Sequence, residues 1–303
     1  MEIFLIGLIA ATLRVATPLI FGTLGELFSE RAGILNLGIE GIMLLGAFVG
    51  FATTYSTGSL WLGVLAACIV GIMAGLLMAI MTVYFGVNQH VSGLGITLFC
   101  TGLAYYAFRV IFGTPANPPQ IQPFMQTEFL ADVNILGPIL RQYPLTYYAM
   151  LLVPVVWWVL YRTNFGLNIR AVGENPEAAD AAGINVYRVR TISLMIAGGF
   201  MGVGGAFLTL STLGFFTFDI IAGRGWVCIA LVIFANWNPI RVLWGAFIFG
   251  GVSALQLRLQ LTGINLPYEL FLALPYVVTI IALTIANRNA AYPAALLKPY
   301  KRE

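Results

Sequence analysis

The chain has 303 residues and a formal net charge of +3; 60% of its residues are hydrophobic and only 9% are charged, against roughly 25% charged residues in soluble domains. Its mean hydropathy is +0.91, and apolar runs long enough to cross a hydrocarbon core of about 30 Å recur from end to end, leaving no room for a separate soluble domain. The composition therefore predicts an all-α, polytopic transmembrane bundle, with residues 1–303 forming one domain.

The N-terminal MEIFLIGLIAATLRVATPLI carries Glu2 where a signal peptide carries positive charge, and reads as an uncleaved membrane segment. Apolar segments follow at 3–24, 34–54, 59–84, 91–112, 144–162, 191–213, 225–238, 242–261 and 268–286, eight or nine crossings in all. Arg14 and Pro18 leave open a first crossing that begins near residue 13, with residues 1–12 at the interface. The seventh segment is short, as a re-entrant or broken helix would be. GELFSERA, from Gly25 to Ala32, reads as the connection between the first two crossings.

Two polar groups interrupt the second segment. Asn36 and Glu40 lie at i and i+4, the spacing that shares one helix face, and an ionisable group at membrane depth usually faces the bundle interior or a water-filled cavity. Three readings stay open: lining of a solute path, a structural contact such as a pair with Arg31, or ion coupling. Asn88, Gln89 and Ser92 open the fourth segment, where they either cap the helix or offer hydrogen bonds to a solute. Glycines crowd residues 198–205, as they do where membrane helices approach closely. Trp226, Trp237 and Trp244 read as interface anchors, and Asp219 and Arg224 as groups near the outer side that meet each other or a partner.

Charge sets the orientation. Arg162, Arg170, Arg188 and Arg190 fall in one connection, and Arg288, Lys298, Lys301 and Arg302 in the tail, so both belong in the cytoplasm. The proline-rich stretch 113–143, with Glu128 and Asp132, then lies outside, and nine crossings place the C-terminus inside.

Several chemistries lack their residues. The two lysines, Lys298 and Lys301, both sit in the tail, so the chain has no G-x-x-x-x-G-K-[ST] phosphate loop; His90 is the single histidine, and neither H-E-x-x-H nor G-x-S-x-G occurs. Cys68, Cys100 and Cys228 are isolated in apolar runs. The basic residues form no cluster suited to nucleic acid. These features predict a transport pathway rather than an enzyme, with no metal and no cofactor of its own.

What drives it is suggested by the cytoplasmic segment 163–190. Asn175 and Pro176 form a cap and first-turn pair, Glu177 to Ala182 are helix formers with an acid in the first turn, and Gly183 is a stop. A helix of about two turns, outside the membrane, gains stability by docking into something else. The sequence GENPEAADAAGI resembles the coupling-helix signature of bacterial ABC importer permeases, with Glu177-Ala178-Ala179 followed by Gly183. Residues 13–48, NQHVSGLGITLF (88–99) and 223–250 resemble permeases of the branched-chain amino acid and simple-sugar group. They look most like those that import nucleosides alongside a basic-membrane-protein-type lipoprotein receptor. The chain departs from the wider pattern at Ile192-Ser193-Leu194-Met195, which replaces a terminal Ile-x-Leu-Pro, and at His90, where an apolar residue is expected.

The resemblance implies a subunit of the bacterial plasma membrane that couples to a cytoplasmic ATPase through Glu174, Asn175, Pro176, Glu177, Ala178, Ala179 and Gly183. It also implies ATP and Mg²⁺ held by that ATPase, a second and paralogous permease, and a solute-binding lipoprotein outside. Simple sugars and branched-chain amino acids are the alternative solutes. An ion-coupled secondary transporter, with Glu40 as its coupling carboxylate, is the rival of another class, although the two halves of the chain show no clear repeat.

Overall fold

A computed structural model describes residues 2–115, 118–127, 137–260, 273–275, 277–281, 284 and 292–301. Every regular element among them is helical: α1 (Glu2–Arg31), α2 (Ile39–Thr57), α3 (Leu60–Ala79), α4 (Gln89–Phe112), α5 (Gly137–Leu140), α6 (Pro144–Arg162), α7 (Asn164–Glu174), α8 (Pro176–Ala181), α9 (Val186–Phe207), α10 (Arg224–Phe234) and α11 (Pro239–Gln260). Two helices end in wider π turns, α3 through Ile80–Tyr84 and α9 through Leu208–Leu213. Seven of these helices are long and apolar enough to cross a membrane. The predicted segment 268–286 lies mostly outside the described residues, and so do Glu128, Asp132, Arg288 and Arg302.

Two expectations about boundaries change. The first helix is continuous from Glu2 to Arg31, so residues 2–12 are not a separate interfacial piece and most of GELFSERA is helix rather than connection. Its charges, Glu26 and Glu30, are buried inside the protein, which lets them extend the helix instead of ending it. The helix at the predicted segment 225–238 is only the 11-residue α10, about 16 Å long and half a hydrocarbon core. It is preceded by an irregular stretch from Gly214 to Gly223 and is thus a half-helix, as its length suggests.

The glycine-rich α9 sits in the middle, packed against α1, α2 and α3. A Cβ on Gly198 would overlap the Gly71 carbonyl, and one on Gly202 the Ala67 carbonyl, so α3 and α9 touch backbone to backbone. Without a hydrophobic force between helices in lipid, such close van der Waals packing is what associates them. Around this contact Leu19, Leu24, Met43, Phe51 and Phe207 are completely buried. Leu98, Met73 and Tyr106, on the outward faces of α3 and α4, are 74%, 63% and 68% exposed, as suits an apolar surround.

The bundle has two distinct ends. At one, Arg190 Nε donates to Ala32 O (3.1 Å) and Ala295 N to Gly173 O (2.9 Å), gathering the end of α1, α7, α8 and residues 292–300. At the other, Ile121 N donates to Gly214 O and Phe124 N to Leu210 O, both at 2.8 Å, so residues 118–127 lie over the end of α9.

Candidate functional site

The segment 163–190 forms two helices, not the single one expected from residues 174–183. In α7 the Thr163 side chain accepts from Gly166 N (3.2 Å). Phe165, Ile169 and Val172 repeat at helical spacing, with Ile169 and Val172 fully buried. That periodicity is visible in the sequence and was the missed signal for α7. The chain turns at Asn175, whose Oδ1 accepts from Ala178 N (3.0 Å) as the cap of α8, with Pro176 at its first position. The stop is as the sequence suggests: Gly183 has φ +85°, and Ile184 N donates to Ala179 O across it (3.0 Å). Glu174, Asn175, Glu177, Ala178 and Gly183 are exposed and Pro176 is half-buried, while Ala179 is buried beneath them. A polar ridge is thereby presented to the outside at one end of the bundle. It stands on α1, because Gly173 is so close to Arg31 that a Cβ there would overlap the Arg31 carbonyl oxygen.

Asn36 and Glu40 do not share a helix face, because Asn36 lies in an irregular break from Ala32 to Gly38 and α2 begins only at Ile39. Backbone groups inside a bundle need partners, and the break obtains them from neighbouring elements. Asn36 N donates to Glu26 Oε1 (2.8 Å), Leu35 N to Gln89 Oε1 (2.8 Å), Gly38 N to Asn36 Oδ1 (2.9 Å) and Ile34 N to Ser29 O (3.1 Å). On the acceptor side, Ser29 Oγ donates to Ile34 O (2.6 Å), Thr97 Oγ1 to Leu37 O (2.8 Å) and Gln89 Nε2 to Gly33 O (3.4 Å). Asn36 Nδ2 rests on Met201 Sδ at 3.8 Å.

Glu40 holds the half-helix. Gly223 N and Gly225 N donate to Glu40 Oε1 and Oε2 at 2.8 and 2.7 Å. A carboxylate is thus placed against the N-terminal backbone donors of α10, where the helix dipole favours negative charge. Gly225 is required for this approach, since a Cβ there would lie 2.6 Å from Oε2. The alternative pair with Arg31 does not form: Arg31 instead donates to Trp237 O through Nε (3.1 Å) and Nη2 (3.0 Å), and to Tyr161 Oη (3.2 Å).

The fourth segment separates in the same way. Asn88 is a cap, accepting from His90 N (2.9 Å) and Val91 N (3.3 Å), whereas Gln89 reaches into the break. Ser92 is not the cap; it is buried, and its Oγ has no hydrogen-bond partner among the described residues.

Sequence reasoning missed the members of the site that lie on α1 and after α10. Glu26 and Glu30 are 0% and 1% exposed, and Trp237 Nε1 donates to Glu30 Oε2 at 2.7 Å. Trp237 is therefore a buried connector and not an interface anchor, whereas Trp226 and Trp244 are 41% and 63% exposed. The available signal was the i, i+4 spacing of Glu26 and Glu30, which continues the α1 helix into the charged stretch. Arg224 turns back on its own chain, donating to Ile220 O and Ile221 O at 3.1 and 2.9 Å, and Asp219 is exposed.

Comparison with known proteins places this architecture. A family model described as the permease component of branched-chain amino acid transport systems matches residues 8–283. TsgC13 of Haloferax volcanii, provisionally named as a glucose ABC transporter permease, is 39% identical over 99% of both chains. The guanosine ABC transporter permease NupQ of Bacillus subtilis is 36% identical over 97% of this chain and 96% of its own. A second guanosine ABC transporter permease of that organism, NupP, is 26% identical over 96% of this chain and 82% of its own. The matches cover nearly the whole bundle, broken helices and the segment 163–190 included, and the chain belongs to the family of branched-chain amino acid transport system permease components.

Proposed function

We propose that this chain is a translocation subunit of an ATP-driven importer and carries nucleosides or related small polar solutes. The observation that carries the reading is the ridge at 174–183: a capped, short helix, exposed along its acidic side, standing at one end of a bundle of long apolar helices. A helix of this length gains by docking, and an ATPase subunit is the partner suited to it. That end of the bundle is cytoplasmic in our reading, by the arginines it gathers, and the C-terminal residues 292–300 beside it are cytoplasmic too. ATP and Mg²⁺ belong to the ATPase. NupQ and NupP, two guanosine permeases of one organism, support a pairing with a second, paralogous permease. A lipoprotein receptor on the opposite face would deliver the solute.

Of the five polar path candidates, Asn36, Asn88 and Gln89 are occupied with backbone contacts. Glu40 also takes two backbone donors but is only half-buried, and the Ser92 hydroxyl has no partner among the described residues; these two are the groups we assign to the path. A path fed by a receptor works with weak sites, so sparse polar lining suits it.

The test is uptake of labelled guanosine into right-side-out vesicles holding the assembled importer, with ATP enclosed. ATP on the cytoplasmic side drives uptake, and collapse of the proton and sodium gradients leaves it intact; dependence on either gradient would replace this reading with a secondary transporter. The 39% identity to TsgC13 favours a second solute class, simple sugars. Competition by unlabelled nucleosides, bases, glucose and leucine decides between them.

A further inference from the structure

We infer that α10 is the moving gate of the path, and that Arg31 and Trp237 are the positioning residues that carry displacement of the coupling helices to it. The inference rests on the reading of the chain as an ATP-driven permease. Its basis is that each end of the half-helix is tied by hydrogen bonds to a different long helix, while between them its buried face, with Cys228 Sγ donating to Leu19 O at 3.6 Å, rests on α1.

At its N-terminus, α10 is tied to α2 by the two hydrogen bonds from Gly223 and Gly225 to Glu40. At its C-terminus, Trp237 is tied to α1 twice, through its indole N–H to Glu30 and through its carbonyl to Arg31. Both ends also carry backbone that ordinary residues adopt at a cost: Ala222 has φ +49°, Asn236 +49° and Trp237 +53°. Residues held in this region at an energetic cost persist where the surroundings over-determine them, and they cluster at switch regions. The helix between is a rod of 11 residues, and Asn236 N and Trp237 N donate back to Ile233 O and Val232 O at 3.0 and 3.2 Å, so a shift imposed at Trp237 is passed through this turn to the helix.

The shift enters at α7. Gly173 lies against the Arg31 carbonyl with no space for a Cβ, so a displacement of α7 pushes directly on the Arg31 backbone. The Arg31 guanidinium then grips the Trp237 carbonyl and the Tyr161 hydroxyl of α6. The route from the ridge to the gate is short and contiguous: Gly173, Arg31, Trp237, α10, Glu40. Three of its links are direct hydrogen bonds or backbone contact.

The experiment uses the complete importer in proteoliposomes, with uptake and ATP hydrolysis measured together. Arg31→Met keeps the apolar stem and removes the donors; Trp237→Phe removes the indole N–H. Each is expected to lower solute moved per ATP at least tenfold while hydrolysis stays within about twofold of wild type, and Arg31→Lys to restore most of the ratio. Uptake and hydrolysis falling together, or a ratio unchanged in both variants, overturns the inference. A second measurement does not depend on either variant assembling. Trp226→Cys in a Cys68→Ala background places a thiol on the exposed first turn of α10, and its rate of maleimide labelling is expected to change at least fivefold on trapping the ATP-bound state. An unchanged rate means that α10 does not move, and overturns the inference. Loss of ATP-driven uptake in the wild type would instead defeat the permease reading itself, so the two failures are told apart.

Discussion

Replacing Glu40 by Gln probes the attachment of the half-helix most directly. The carboxylate offers two oxygens to two backbone donors, Gly223 N at 2.8 Å and Gly225 N at 2.7 Å. An amide of the same shape offers one oxygen, and turns its NH₂ toward the other donor. One buried N–H is left without an acceptor, which costs about 1–3 kcal/mol. The lost negative charge at the helix N-terminus adds about 0.3–1 kcal/mol. The sum is roughly 1.3–4 kcal/mol, equivalent to a factor of about 10 to 1,000 in a local opening equilibrium. Hydrogen–deuterium exchange of purified protein, read on peptides covering residues 221–228, should therefore accelerate by that factor. Peptides from the α3 and α9 contact should exchange at the wild-type rate, because the perturbed bonds lie away from Gly71 and Gly198. Assembly with the ATPase is expected to persist while uptake changes. Wild-type exchange at 221–228 would mean that Glu40 does not hold α10, and would refute the reasoning for both the attachment and the gate.

Gly198→Leu drives a side chain into the Gly71 carbonyl, where two backbones already touch, and neither helix can give way without moving the middle of the bundle. Folded yield after detergent extraction should collapse, seen as loss of the monodisperse peak by size exclusion; Gly95→Leu, with open space around it, should leave that peak unchanged. Asn175→Ala removes the cap of α8 at about 1 kcal/mol. It should weaken association with the ATPase about fivefold, measured by co-purification at increasing dilution, with Asn175→Asp close to wild type.

Much of the fold was legible because membrane helices announce themselves by length and apolarity. The seven long helices fall on predicted segments, and the shortness of residues 225–238 already signalled a half-helix. The punctuation of α8 was equally readable, since a cap, a proline at the first turn and a left-handed glycine act within a few residues of each other. The failures share one cause. Glu26, Glu30 and Trp237 were assigned by residue type, to a loop and to an interface, whereas burial and partners across about 200 positions of sequence decide what they do. Asn36 and Glu40 were placed together by spacing, yet the helix between them is broken by contacts from Glu26 and Gln89, which lie on other helices.

By itself, then, the sequence determined a polytopic helical bundle with a short capped helix between two of its long apolar helices, because hydropathy and capping are local properties. Only the tertiary structure decided that the polar groups of the bundle serve its breaks: Gln89 and Glu26 complete the backbone between α1 and α2, and Glu40 receives the free N–H groups of α10. The physical reason is that an interrupted helix in an apolar interior must find its missing hydrogen bonds on whichever elements pack beside it, and that packing is not written at any one position of the chain.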